Sequence, residues 1–213
     1  MSNPHSGSLP SWLDDEDDEP TPGPSKPGMD GLFFERRLAE ARILQVVGPI
    51  TDRLARYCAT RLFVMEQMNP EKPITVMINS PGGSADSGFA IYDLLRYIKP
   101  PVRTVVNGLC ASAAILVLLG AERSNRFSLP ESRFLLHQPS TMGRGTASDL
   151  DITAREILKL RERYNRIVSE ACKRDIEKIA EDTRRDFWLS ATEAKEYGLV
   201  SKVIQRNSEL PEA

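Results

Sequence analysis

The chain has 213 residues, which suffice for one domain with a sizeable core and are few for two. Hydrophobic residues make up 40% of it, but no apolar run approaches the roughly 20 residues of a membrane span. No basic cluster precedes an apolar stretch as in a secretory signal. The net charge of −2 gives no electrostatic reason to expect nucleic-acid binding.

The three cysteines, Cys58, Cys110 and Cys172, are odd in number and far apart in the sequence. This pattern favours reduced thiols over a disulfide framework or a zinc site. We therefore expect a soluble, cytoplasmic protein that binds no metal.

Residues 1–30 hold six prolines and the acidic run 14–19, but few large apolar side chains. Such a segment cannot bury enough surface to offset the entropy lost on ordering, so it is predicted to be a disordered tail. The acidic run is explained more simply by solvation of this tail than by a dedicated partner. A single domain is expected over 31–206, followed by a short C-terminal tail, 207–213.

From about Leu32 the hydrophobic pattern becomes that of a folded domain. In chain order, strands are predicted at Ile43–Val47, 73–78, 102–106, Arg133–Leu136 and 199–204. The predicted helices are one capped by Thr51, one after Gly82-Gly83, an entirely apolar one over 111–119, a long charged one over Ala147–Cys172, and one that begins with the capping box Ser190–Glu193 and ends at Gly198. Strands that alternate with helices predict an α/β fold with a mainly parallel sheet.

Only two histidines are present, and His5 lies in the predicted tail. Chemistry that needs an ordered imidazole would therefore fall on His137, at the end of a short apolar strand. A histidine in that place can equally be structural, so its neighbours in the fold decide between the two roles.

Ser112 lies where the strand 102–106 gives way to the apolar helix. Its hydroxyl would sit near free backbone N–H groups and the positive end of the helix dipole, which suits a nucleophile, although a serine there can also simply cap the helix. A nucleophilic serine needs a base, and the base needs a carboxylate to orient it. Gly82-Gly83, after another strand, could present N–H groups as an oxyanion hole or could form a plain turn.

Several short motifs occur in the order and spacing of one known family. They are NSPGGS at 79–84, GLCASAA at 108–114, HQP at 137–139, AREIL at 154–158, DTRRD at 182–186, LSA at 189–191 and EAKEYGL at 193–199. Together they resemble the motifs of the ClpP peptidases, the proteolytic subunits of Clp proteases, over about residues 32–204. The resemblance implies a ClpP/crotonase-like α/β fold in which Ala147–Cys172 is the long handle helix.

The resemblance also implies the site residues. Ser112 would be the nucleophile, His137 the base and Asp186 the acid, with the N–H groups of Gly83 and Ala113 as the oxyanion hole. Asp186 depends on the resemblance alone, because nothing else distinguishes it among the 30 acidic residues.

Three departures from the family bear on substrate and partners. Ala113-Ala114 replaces the family's Met-Gly, so the pocket wall loses a large side chain. The stretch 140–145, where substrate backbone would bind along the handle, differs from the family's glycine-rich sequence. The acidic tail replaces the usual N-terminal loop that lines the axial pore.

The implied function is that of a serine endopeptidase (endopeptidase Clp) that hydrolyses unfolded proteins and peptides inside a chamber. Two seven-membered rings of this chain, or mixed rings with a paralogue, would enclose that chamber, and Arg185 would contact another ring. The apolar handle positions Ile157, Leu160, Tyr164 and Ile167 would be buried between subunits. An AAA+ Clp unfoldase would use the ATP, so the chain itself would need no cofactor.

Two other functions remain open. A non-catalytic or regulatory ring subunit would share the fold, but such a subunit usually lacks one member of the triad. A crotonase-type acyl-CoA enzyme would share the fold and the oxyanion hole, but it has no use for a Ser/His/Asp set.

Overall fold

The computed structural model describes residues 29–140 and 144–211 of the chain. The predicted disordered tail therefore lies outside the described residues except at its end, where helix α1 begins at Met29. Residues 141–143, part of the stretch expected to bind substrate backbone, also lie outside them. Two compact units divide the chain, residues 1–35 and residues 36–213. Only the beginning of α1 is described in the first unit, and the sheet and the candidate site belong to the second.

The helices and strands follow one another largely in alternation. The helices are α1 (Met29–Glu40), α2 (Asp52–Met68), α3 (Ala85–Tyr97), α4 (Ala113–Leu119), α5 (Ala147–Cys172), α6 (Ile176–Asp182) and α7 (Ala191–Tyr197). The strands are β1 (Ile43–Val47), β2 (Ile74–Ser80), β3 (Val102–Ala111), β4 (Arg126–Ser128), β5 (Arg133–Leu136), β6 (Phe187–Ser190) and β7 (Lys202–Val203). The predicted handle helix is α5, with both of its predicted ends.

The strands of the described residues form one sheet, in which β1, β2, β3, β4 and β7 lie side by side in that order. β5 pairs with the second half of β3, and β6 pairs with β5. Every pairing is parallel except that of β5 with β6, which is antiparallel. Parallel neighbours require a crossover connection, which the helices supply. The prediction of an α/β fold with a mainly parallel sheet is confirmed.

The local signals at helix ends act as predicted. Thr51 accepts a hydrogen bond of 3.2 Å from the N–H of Leu54 at the start of α2. Ser190 and Glu193 form the reciprocal capping box of α7, and Gly198 ends that helix in a left-handed conformation at φ 98°. All seven residues of α4 are buried, as its uninterrupted apolar sequence requires, and it packs against α3 and β3.

Two predicted strand boundaries are wrong. The strand expected over 102–106 continues to Ala111, because after an irregularity in its pairing with β2 it pairs again along β5. The strand expected over 199–204 is only the two-residue strand β7. Its predicted first residues, Leu199 and Val200, instead donate their N–H groups to the carbonyl of Ala194 at the end of α7. The short elements α6, β4 and β6, and the helix α1, were not predicted.

The expectation that subunit contacts bury the apolar positions of α5 is wrong for two of its residues. Tyr164 and Ile167 are buried within this chain, because α5 packs against α4. The large apolar residues that α5 leaves exposed are instead Leu150, Ile152 and Leu158. No helix within residues 29–140 and 144–211 is both long and apolar enough to cross a membrane.

Candidate active site

Three neighbouring parallel strands end at one edge of the sheet and bring three predicted site residues to it. Ser80 of β2 lies opposite Cys110 of β3, and Ala111 of β3 lies opposite Leu135 of β5. The N–H of Ser112 continues this pairing with a 2.9 Å hydrogen bond to the carbonyl of Leu135. Gly83, Ser112 and His137, which follow these three strands, are therefore neighbours at the carboxyl ends, where α/β folds bind ligands.

The backbone of Ser112 is strained. Its φ of 55° and ψ of −122° lie outside the regions that residues with a side chain readily adopt. Its hydroxyl makes no capping hydrogen bond to α4, so the alternative that it merely caps the helix does not hold. Strain of this kind costs on the order of 1–3 kcal/mol and collects at functional sites. The sharp turn leaves the residue half-buried at the edge of the sheet.

The turn after β2 packs directly against the turn that carries Ser112. A Cβ on Gly82 would lie 2.6 Å from the carbonyl oxygen of Ala111 and 2.7 Å from the Cβ of Ser112. A Cβ on Gly83 would collide with the carbonyl oxygen of Ile50. The two glycines thus allow a close approach of backbone to backbone that any side chain would prevent.

This approach places two backbone donors near the serine. The N–H of Ala113 is the first of α4 and has no acceptor within the helix. Gly83 pairs with Ile50 in an isolated parallel bridge. In this bridge the N–H of Ile50 donates to the carbonyl of Gly82, and the N–H of Ser84 donates to the carbonyl of Ile50. The N–H of Gly83 takes no part in those bonds. Both groups are available to an oxyanion next to Ser112.

His137 and Asp186 face each other where the antiparallel pair of β5 and β6 ends. The last paired residues are Leu136 and Phe187, so His137 and Asp186 continue the register by one position. Nδ1 of the imidazole lies 3.2 Å from Oδ1 of the carboxylate. The side chain of Asp186 is 65% exposed and that of His137 is 31% exposed. A carboxylate at Nδ1 fixes the tautomer in which Nε2 is the free, basic nitrogen.

A cavity of about 400 Å³ opens between this edge of the sheet and α5. Gly83, Ser112, Ala113 and His137 all line it. Its apolar wall consists of residues from α3, α4 and α5, namely Phe89, Ala113, Leu116, Ile157, Leu160 and Tyr164. The place of Ile157, Leu160 and Tyr164 in this wall was not predicted, although their spacing along one face of α5 was a usable signal. The hydrogen bond of the His137 side chain among the described residues goes to Asp186 and not to Ser112, and bonds between a base and its nucleophile often tighten only when substrate binds.

The cysteines do not compete with Ser112 as nucleophiles. Cys110 lies two residues away in sequence, but its side chain is fully buried, and burial raises the pKa of its thiol far above the ordinary value. Burial also raises the pKa of Cys58 to about 12 and that of Cys172 to about 11. Thiols in such surroundings stay protonated and inert near neutral pH.

Comparisons with known proteins agree on one family. The model of the Clp protease family matches residues 32–207 of the chain. The chain is 43% identical over 182 residues to the ATP-dependent Clp protease proteolytic subunit 2 of Treponema pallidum, covering 85% of this chain and 91% of the relative. It is 44% identical over 180 residues to proteolytic subunit 3 of Rhizobium etli, covering 84% and 92%. The solved structure of a ClpP1 mutant from Listeria monocytogenes matches with a TM-score of 0.77 and 40% identity, covering 82% of this chain and 98% of the other.

The fold and the cavity suit a serine hydrolase, and the comparisons specify which. The chain belongs to the Clp protease family, and it is a serine endopeptidase, a proteolytic subunit of the ClpP type. Membership of this family implies that the chain forms ring-shaped oligomers and associates with Clp ATPases. The fold predicted from the resemblance is thereby confirmed, and neither alternative function is favoured.

Proposed function

We propose that Ser112, His137 and Asp186 form the catalytic triad. Nε2 of His137 removes the proton of Ser112 Oγ as that oxygen attacks the carbonyl carbon of a peptide bond. The N–H groups of Gly83 and Ala113 stabilise the oxyanion, and the protonated imidazole then donates its proton to the departing amine. Water, activated by the same imidazole, hydrolyses the acyl-serine. The observation that carries this assignment is the 3.2 Å bond between His137 and Asp186 at a cavity that Ser112 also lines.

The cavity also suggests which side chains the site accepts. Its wall is apolar and about 400 Å³ is available, which suits a single large apolar side chain of an extended peptide. Two acidic residues, Asp86 and Glu156, also line the cavity. An acidic side chain of the substrate would meet like charge there. We therefore expect cleavage next to apolar residues of unfolded chains.

The assembly we propose is a chamber of two seven-membered rings, formed by this chain alone or with a paralogue, that receives substrate from an AAA+ Clp unfoldase. Exposed Leu150, Ile152 and Leu158 on α5 supply apolar surface for contacts between subunits. Arg185, next to the exposed Asp186, is proposed to contact the other ring. The sequence contains no G-x-x-x-x-G-K-[ST] phosphate loop, so ATP would be used by the unfoldase. Free, buried cysteines fit a reducing compartment such as the cytoplasm.

The proposed function is tested with three substrates: a dye-labelled tripeptide, unstructured casein and a stably folded protein, each with and without a Clp-type unfoldase and ATP. The assembled particle should cleave the tripeptide alone and the folded protein only with the unfoldase and ATP. Degradation of the folded protein by this chain alone would contradict the closed chamber. Failure to cleave the tripeptide in fully assembled rings would favour the non-catalytic subunit.

A further inference from the structure

The acid of the proposed triad is poorly fixed by its own surroundings. The side chain of Asp186 is 65% exposed, and its one hydrogen bond among the described residues is the bond to His137. A second cavity, of about 480 Å³, lies against the preceding segment and is lined by Arg184 and Asn165 among others. Packing against this segment is therefore incomplete on that side, and hydrogen bonds contribute to its position.

Gln138 makes two of those hydrogen bonds. Its backbone N–H donates to the carbonyl of Thr183 at 2.8 Å. Its side-chain Nε2 donates to the carbonyl of Arg184 at 3.2 Å. Gln138 directly follows His137, and the two carbonyls belong to residues just before Asp186. One residue thus joins the segment that carries the base to the segment that carries the acid.

The far end of this connection is anchored in the core. Thr183 is only 1% exposed, and its hydroxyl lies 2.8 Å from the carbonyl of Ile179 and 3.2 Å from Oδ1 of Asn165 on α5. The hydroxyl has one proton to donate. When it donates that proton to the carbonyl of Ile179, a turned amide of Asn165 can donate to the hydroxyl oxygen in return. Gln138 therefore ties the base to a fixed point and not to a loose loop.

We propose that Gln138 is a positioning residue, which holds the carboxylate of Asp186 in register with Nδ1 of His137. This inference rests on the triad proposed above and adds a residue to its support. Gln138 does not line the substrate cavity, and its side chain is instead bonded to the segment that carries Asp186. Without the bond from Nε2, the stretch from Arg184 to Asp186 keeps the bond from the N–H of Arg184 to the carbonyl of Glu181 and the β6 pairing that follows it, but the carbonyl of Arg184 is no longer tied to the segment that carries His137. A misplacement of about 1 Å can lower turnover up to roughly 100-fold.

The substitution Gln138→Met tests this, because methionine has a similar length and no donor. We expect kcat for the tripeptide to fall about 10- to 100-fold while KM stays within about twofold, since the cavity wall is unchanged. Gln138→Glu keeps the shape of glutamine but places a carboxylate oxygen opposite the carbonyl of Arg184, and two acceptors cannot bond to each other. Its kcat should fall at least as much as that of Gln138→Met. Gln67→Met on α2 is the control for the same replacement elsewhere in the chain. Gln67 is exposed, whereas Gln138 is half-buried, and the side chain of Gln67 makes no hydrogen bond among the described residues, so turnover should be unchanged.

A double-mutant cycle separates positioning from general damage. Once Asp186→Asn has removed the carboxylate, there is no acid left to position, so adding Gln138→Met should lower kcat less than about twofold further. An equal loss in both backgrounds, or normal kcat in both Gln138 variants, would overturn the proposal. If Asp186→Asn alone left turnover near normal, the triad itself would be wrong, a result distinct from failure of Gln138.

Discussion

Gly82→Ala is the substitution for which the structure makes the sharpest prediction, because Gly48 provides a matched control. Both glycines have positive φ, 89° at Gly82 and 80° at Gly48. A Cβ on Gly48 would meet nothing within 4 Å. A Cβ on Gly82 would lie 2.6 Å from the carbonyl oxygen of Ala111, 2.7 Å from the Cβ of Ser112 and 3.0 Å from the N of Ala113. Most of these atoms are backbone, so the turn that carries the serine has to move.

The two variants should therefore differ in stability and in turnover. The positive φ alone costs alanine about 1–2 kcal/mol at either position. The clash at Gly82 adds about 1–3 kcal/mol, which corresponds to a further fall of about 2–12 °C in the unfolding midpoint. Since the clash displaces the oxyanion donor of Ala113, Gly82→Ala should also lower kcat about 10²- to 10³-fold, while Gly48→Ala leaves kcat unchanged. Thermal unfolding and tripeptide hydrolysis of both assembled variants measure this. Equal stability and equal turnover in the two variants would refute the close approach of the two turns.

The remaining predictions concern the triad and the tail. Ser112→Ala should lower kcat by several orders of magnitude and leave the oligomer intact, as measured by peptide hydrolysis and size-exclusion chromatography. Asp186→Asn should lower kcat about 10⁴-fold in the same assay, because the imidazole is then held in the wrong tautomer. Deletion of residues 1–28 should leave the unfolding midpoint and the oligomer unchanged, because the segment has six prolines within 1–30 and little apolar surface. A large fall in the midpoint would instead make the tail structural.

Much of the fold was predictable because its signals are local. The alternation of strands and helices, the caps Thr51 and Ser190, and the uniformly apolar α4 each depend on neighbours in sequence. Gly83, Ser112 and His137 could be singled out for the same reason: each follows a predicted strand. Parallel strands then bring such positions to one edge of the sheet.

The partner of His137 could not be found in this way. Asp186 reaches the imidazole through β6, a four-residue strand that pairs with β5 across about fifty residues of chain. Its sequence, FWLS, has no turn signal and no clear alternation, and only the resemblance to a family pointed to Asp186. The link through Gln138 is equally invisible in sequence, because half of it is a backbone bond to the carbonyl of Thr183.

The central claim is that Ser112 is the nucleophile, and covalent labelling tests it most directly. The assembled particle is treated with a fluorophosphonate probe, and the modified residue is located by peptide mapping and mass spectrometry. The account predicts a single label on Ser112 and none on the Ser112→Ala variant. A label on Ser84 or Ser140, which also line the cavity, or undiminished labelling of Ser112→Ala, would contradict it.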